Sequence, residues 1–236
     1  SSSSAASDVY KRQLLQSIGN FSFSEDEFNG NEFDLGATRL SFKGTVDNNF
    51  LYKLQMDFRS VPSIKDAQVG YAYSDQFQLI AGAFKPYLSI DLDPNPGATD
   101  FINRARHVGV MLNTREIGLT ALGEASNLNY RFGMYNGTGL SRSNDGKFLY
   151  TARLGYSIPF KSGSLEIGFN GAVNQTEMES VGKSGLISTG DRTLYGFFTQ
   201  FDSNILFGTV EFLQTAFDTP ASGEETITGF FGTLGV

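Results

Sequence analysis

Apolar and polar residues alternate with period two along most of this chain. In 50–59, Phe50, Tyr52, Leu54, Met56 and Phe58 fall on one side and Leu51, Lys53, Gln55, Asp57 and Arg59 on the other. In 127–135, Leu128, Tyr130, Phe132 and Met134 oppose Asn127, Asn129, Arg131 and Gly133. Residues 148–158 repeat the pattern, with Thr151, Arg153, Gly155 and Ser157 on the polar side, and so do 165–173, with Glu166, Gly168, Asn170 and Ala172 there. Such alternation marks strands with one apolar face, and no stretch carries a convincing amphipathic helical period. About twelve strands are predicted, near 18–24, 33–44, 50–60, 64–73, 76–87, 115–124, 127–135, 148–159, 164–173, 192–202, 205–217 and 226–236. Most are about 9–12 residues long, against roughly 5–6 for an average globular strand. About 9–11 residues is what a tilted strand needs to cross a bilayer.

The connections sort by length. Short ones are expected near 46–49, 74–75, 125–126, 161–162 and 203–204. Long ones are expected near 25–32, 88–114, 136–147, 175–191 and 218–225. The two kinds alternate, and 61–63 alone is short where a long one is due. One end of the sheet would therefore carry tight turns and the other elaborate loops, the asymmetry of outer-membrane barrels. Aromatic placement agrees with this. Phe50 and Phe58 lie eight residues apart on one face, about 26 Å along a strand, and Phe148 and Tyr156 repeat the spacing. Aromatic girdles flank an apolar band about 25 Å tall in such barrels. A soluble β-sandwich also alternates, but its strands are shorter and its loops do not sort by end. The fold class expected is therefore all-β: a transmembrane antiparallel β-barrel.

Composition narrows the picture further. The formal net charge of −7 argues against nucleic-acid binding, which needs a basic footprint. The absence of cysteine removes disulfide scaffolds and thiolate metal sites. No apolar run reaches the ~18 residues of a membrane helix. Residues 3–13, Ser-Ser-Ala-Ala-Ser-Asp-Val-Tyr-Lys-Arg-Gln, read as the translation of a transposon-type library adapter, of the kind environmental sequencing leaves. Residues 1–13 are accordingly expected to be a non-native tail, and 14–236 a partial barrel that stops in a strand-like run at Val236.

Seven stretches carry a family resemblance: 33–44 (FDLGATRLSFKG), 64–73 (IKDAQVGYAY), 82–88 (GAFKPYL), 101–106 (FINRAR), 115–124 (REIGLTALGE), 128–139 (LNYRFGMYNGTG) and 151–160 (TARLGYSIPF). In this order and approximate spacing, over roughly 17–160, the chain resembles the phosphate-selective porin O/P family of Gram-negative outer membranes. The resemblance implies a sixteen-stranded trimeric pore, of which about twelve strands are present here, whose third long loop folds into the lumen. Residues 88–114 are the candidate for that loop. It implies partners as well: outer-membrane lipid and small anionic or general hydrophilic solutes that diffuse through passively.

A pore filters by width, lining polarity and rings of charge, with cations favouring anions. Parity puts Arg39, Lys43, Lys53, Arg59, Arg131 and Arg153 on the lumen face, and the loop adds Arg104 and Arg106. Arginine suits phosphate through bidentate donation, while lysine acts as a point charge. Asp57, Glu124, Glu166 and Glu211 share the wall, and Asp91, Asp93 and Asp100 share the loop. These mixed signs favour a general or mildly anion-preferring porin over strict phosphate selectivity. Lys85 breaks parity: it either snorkels from the lipid face or turns inward at a bulge marked by Pro86.

No catalytic residue, metal or cofactor is expected. His107 is the sole histidine, and a hydrolase would have to use it, yet its neighbours form no nucleophile motif. Asp91 and Asp93 before Pro94 offer oxygens for Ca²⁺ or else form a solvated turn. The competing functional readings are a barrel acting as receptor or adhesin through its long loops, and a soluble β-rich binding module.

Overall fold

The computed structural model describes residues 7–21, 32–94, 104–141 and 146–236. Parts of three expected features lie outside the described residues: the tail segment 1–6, the connection 22–31, and Asp100 with the rest of 95–103 in the long loop.

Among the described residues, twelve strands form one antiparallel sheet in which each pairs with its sequence neighbours. They are β1 (Ser7–Asn20), β2 (Glu32–Val46), β3 (Phe50–Asp57), β4 (Ser63–Ser74), β5 (Phe77–Phe84), β6 (Glu116–Ala125), β7 (Leu128–Tyr135), β8 (Leu149–Phe160), β9 (Gly163–Ser180), β10 (Ile187–Ser203), β11 (Phe207–Thr219) and β12 (Gly223–Gly235). This is the expected meander. The sheet is not closed: β1 and β12 each keep one unpaired edge.

Three expectations are corrected. The first strand runs over Ser7–Asn20 rather than 18–24, so 7–13 pairs with 40–46 of β2. An unpaired edge is a template for any extended segment, and backbone bonds alone extend the ladder there. The connection expected at 175–191 shrinks to 181–186, because β9 and β10 continue as a paired ribbon through Thr176 and Gly190. The one expected at 218–225 shrinks to 220–222, with Thr219 paired to Gly223. The tight-turn end keeps its form, with connections at 47–49, 75–76, 126–127, 161–162 and 204–206.

Period two decides the two faces. Val69, Val173, Phe197 and Phe230 point outward and are more than half exposed, an apolar belt far larger than a water-facing surface carries. At the tight-turn rim, Phe50 meets Tyr71 edge-on at 5.0 Å and Phe160 stacks on Phe201 at 5.7 Å. Among the described residues no helix is long and apolar enough to cross a membrane. The inner face is polar except where the connection between β5 and β6 lies on it. That connection contains one short helix, α1 (Arg106–Met111), which the period-two reading did not anticipate.

Candidate functional site

The site is formed by 85–94 and 104–115, the described parts of the connection between β5 and β6, folded onto the inner wall. Its apolar residues find a seat there. Leu88, Leu92, Val108, Met111 and Leu112 are buried against Ala172, Leu194 and Leu213 of β9–β11, with Leu149 and Ile227 beside them. These wall positions sit where a wet lumen would carry polar groups, so the loop explains why they are apolar. Glycine makes the close approach possible: a Cβ on Gly229 would stand 2.3 Å from His107 Cβ.

Two polar anchors fix the loop. The first is Glu211 of β11, which is fully buried. Ser89 Oγ donates to its Oε2 at 2.6 Å and the Ile90 N–H donates to its Oε1 at 2.8 Å. Asn170 Nδ2 reaches Oε1 at 3.4 Å, and His107 Nε2 lies 3.4 Å from Oε2. Serine, histidine and a carboxylate thus meet in one place, but in an order unlike a hydrolase relay. The acid sits between the other two, and Ser89 is fully buried.

The second anchor is Asp93. Arg131 of β7 and Arg153 of β8 stand directly opposite each other in register. Like charges opposed across strands are destabilising. Asp93 Oδ2 lies between them, 2.9 Å from Arg131 Nη1 and in contact with Arg153 Nη1. Arg131 also lies over the Tyr87 ring at 4.5 Å, and Arg153 donates from Nε to Asn170 Oδ1 at 2.7 Å.

Other residues hold the loop's own shape. Lys85 is turned inward, because β5 ends at Phe84 and parity no longer applies. Its Nζ donates to the carbonyls of Leu92, Asp93 and Pro94 at 2.8, 3.1 and 2.7 Å. Burial, helped by nearby Arg104, pulls its pKa from 10.5 to about 7. Burial likewise raises the Tyr87 phenol. Arg104 donates to the carbonyls of Asp91 and Pro94. Asp91 Oδ2 accepts the Ala105 N–H at 2.9 Å. Asp91 and Asp93 therefore face different partners, and among the described residues no group of three potential metal-binding side chains occurs.

The remaining expected residues spread over the opposite wall. Arg39 pairs with Asp57 at 3.0 Å. Lys53 pairs with Asp66. Lys43, opposite Lys53 in register, is exposed and lies 5.9 Å from the Tyr10 ring. Arg59 is exposed and reaches the Gly36 carbonyl at 3.5 Å. Arg106 is exposed at the start of α1.

Sequence reasoning missed three members. Arg115 is buried, donating to Asp66 at 2.8 Å and to Gln55 at 3.3 Å. Parity with Ile117 and Leu119 would send it to lipid, but β6 begins one residue later. Glu116 is buried and joins the loop's end to the next long connection, accepting from Asn113 Nδ2 and the N–H groups of Gly137 and Gly139. Both glycines have positive φ, which brings their N–H groups onto the carboxylate. Arg192 of β10 donates to the Met111 carbonyl. It shares the parity of Leu194 and Gln200, which was the available signal.

Known proteins fit this architecture. OmpT, an outer membrane protein of Vibrio cholerae folded in vitro, superposes with a TM-score of 0.62 at 12% identity, covering 98% of this chain and 71% of that one. A loop L8 deletion mutant of OmpT gives 0.63 at 14% identity, over 98% and 77%. At such identities the likeness is one of fold. No curated protein matches. The family model for phosphate-selective porin O and P matches residues 10–191, well over half of the chain. With a lipid-facing apolar belt outside and a loop-narrowed polar wall inside, this chain belongs to the phosphate-selective porin O and P family and is a porin of the bacterial outer membrane.

Proposed function

We propose that this porin is a passive, general filter for small hydrophilic solutes with a weak anion bias, neither strictly phosphate-selective nor an enzyme. The observation that carries the reading is how its cations are employed. Arg39, Lys53, Arg115, Arg131 and Arg153 each meet an acid. A phosphate-selective ladder needs cations free to take a bidentate anion. Lys43, Arg59 and Arg106 are exposed and form no ion pair among the described residues, and they supply the bias. In the working pore the free edges of β1 and β12 are paired, as lipid requires. The family resemblance supplies the form: a sixteen-stranded barrel assembled as a trimer.

Reversal potentials of the closed barrel in planar bilayers under a salt gradient test this. The expected result is a small anion-side potential that moves toward zero in Arg106→Gln at unchanged conductance. Arg104→Gln should instead change conductance, because Arg104 holds loop carbonyls. A large phosphate-over-chloride preference overturns the general reading, and absence of any conductance overturns the porin reading.

A further inference from the structure

A cavity of about 390 Å³ lies beneath the loop, on its tight-turn side. One flank is cationic: Arg131 and Arg153 share the single carboxylate of Asp93, which leaves one positive charge in surplus. Arg153 Nη2 and Asp93 Oδ1 are both buried without a partner among the described residues, so the cluster keeps one unused donor and one unused acceptor beside its surplus charge. The other flank is anionic. Glu166 accepts a hydrogen bond from Asn129 Nδ2 at 2.9 Å and meets no cation among the described residues. Glu124, exposed and opposite Asn129 in register, meets none either. Gly155 lets the Glu166 carboxylate lie across the wall to Asn129, since a Cβ there would stand 2.3 Å from Glu166 Oε1. Asn129 and Arg131 are successive inward residues of β7, so the flanks are about 7 Å apart along the strand.

This arrangement discriminates by charge pattern. A plain anion meets the guanidinium groups but is repelled by Glu124 and Glu166. A plain cation has the reverse problem. A small molecule carrying both charges a few ångströms apart satisfies both flanks. We propose that the cavity is a binding station for small zwitterions of the amino-acid type. Their carboxylate faces Arg131 and Arg153, and their ammonium group faces Glu166 and Glu124. The proposal deepens the porin reading by naming a solute class, and it rests on that reading for the solute's access to the lumen.

The station is built from β6–β10 and the loop, so binding can be read without a conducting pore. The protein is refolded in detergent micelles, and saturation-transfer NMR is recorded with L-alanine, propionate and ethylammonium as probes. L-alanine should bind about tenfold tighter than either single-charge analogue, the order of one charge-assisted hydrogen bond. Glu166→Gln should erase its advantage over propionate, and Arg131→Gln its advantage over ethylammonium. Propionate binding as tightly as L-alanine to the parent protein overturns the proposal, as does L-alanine binding that neither variant weakens. If Arg131→Gln fails to refold, Glu166→Gln alone decides. A protein that conducts in bilayers yet shows no preference for L-alanine remains a porin without this station.

Discussion

Along β2–β4, wall cations are neutralised by acids of the same wall: Arg39 by Asp57, opposite it in register, and Lys53 by Asp66 on the next strand. Along β7–β11 the wall does not neutralise itself. Arg131 faces Arg153, and the acid between them comes from the loop as Asp93. Glu211 is likewise buried without a wall cation and takes its donors from Ser89 and Ile90 of the loop. On the first wall Arg39 and Lys53 are neutralised once the hairpins pair, and Arg115 from the end of the connection adds a second cation at Asp66. The second is complete only when a segment distant in sequence docks on it. Charge frustration in the wall thus specifies where the loop must lie, and the apolar seat of Leu194 and Leu213 supplies the burial that holds it there.

The largest test of this contrast removes Glu211. In Glu211→Ala the Ser89 hydroxyl and the Ile90 N–H lose their buried acceptor, at about 1–3 kcal/mol each. Loop docking should weaken by about 3 kcal/mol, so exchange of the Ile90 amide should accelerate by about two orders of magnitude while β2–β3 amides keep their protection. Uniform acceleration across both walls would break the contrast. A smaller effect is expected from Asp93→Asn, which leaves the two arginines facing each other: about 2 kcal/mol in thermal unfolding from micelles. Asp57→Asn on the other wall strands one cation, Arg39, rather than two facing each other, and should cost about 1 kcal/mol. Equal losses for the two would mean that the walls do not differ in kind.

The same contrast explains what the sequence made legible. Period two placed Arg39, Lys43, Lys53, Arg131 and Arg153 on the inner face, because facing is set within a strand. The family resemblance implied an inserted third loop, and loop length and order marked 88–114 as the candidate. Pairing was legible where register decides it, and hidden where it does not. Nothing local to Asp93 or Glu211 announces a partner at a sequence distance of 38, 60 or 121 residues. Inward apolar residues such as Leu194 and Leu213 broke the polar-in rule for the same reason: their neighbour is the loop, not water. The helix α1 was missed because six residues give too little periodicity to read. The connection expected at 175–191 was too long because β9 and β10 stay paired through Thr176 and Gly190.

Lys85 gives the most selective test, because it acts on the loop without touching either wall. Its ammonium group holds the carbonyls on which Asp93 is carried. With burial lowering its pKa to about 7, the folded protein binds fewer protons than the unfolded chain between about pH 7 and the ordinary lysine value of about 10.4. Stability should therefore rise with pH across that window and be independent of Lys85 below it, where both states are protonated. By linkage the slope is at most about 1.4 kcal/mol per pH unit within that window. Melting of the parent protein should be higher at pH 9 than at pH 6.5, and Lys85→Met should flatten that slope. Exchange at Ile90 should follow the same pH trend while amides of the β2–β4 wall do not. A slope that survives Lys85→Met would assign it to another group and remove Lys85 from the account of how the loop carries its acid to the arginines.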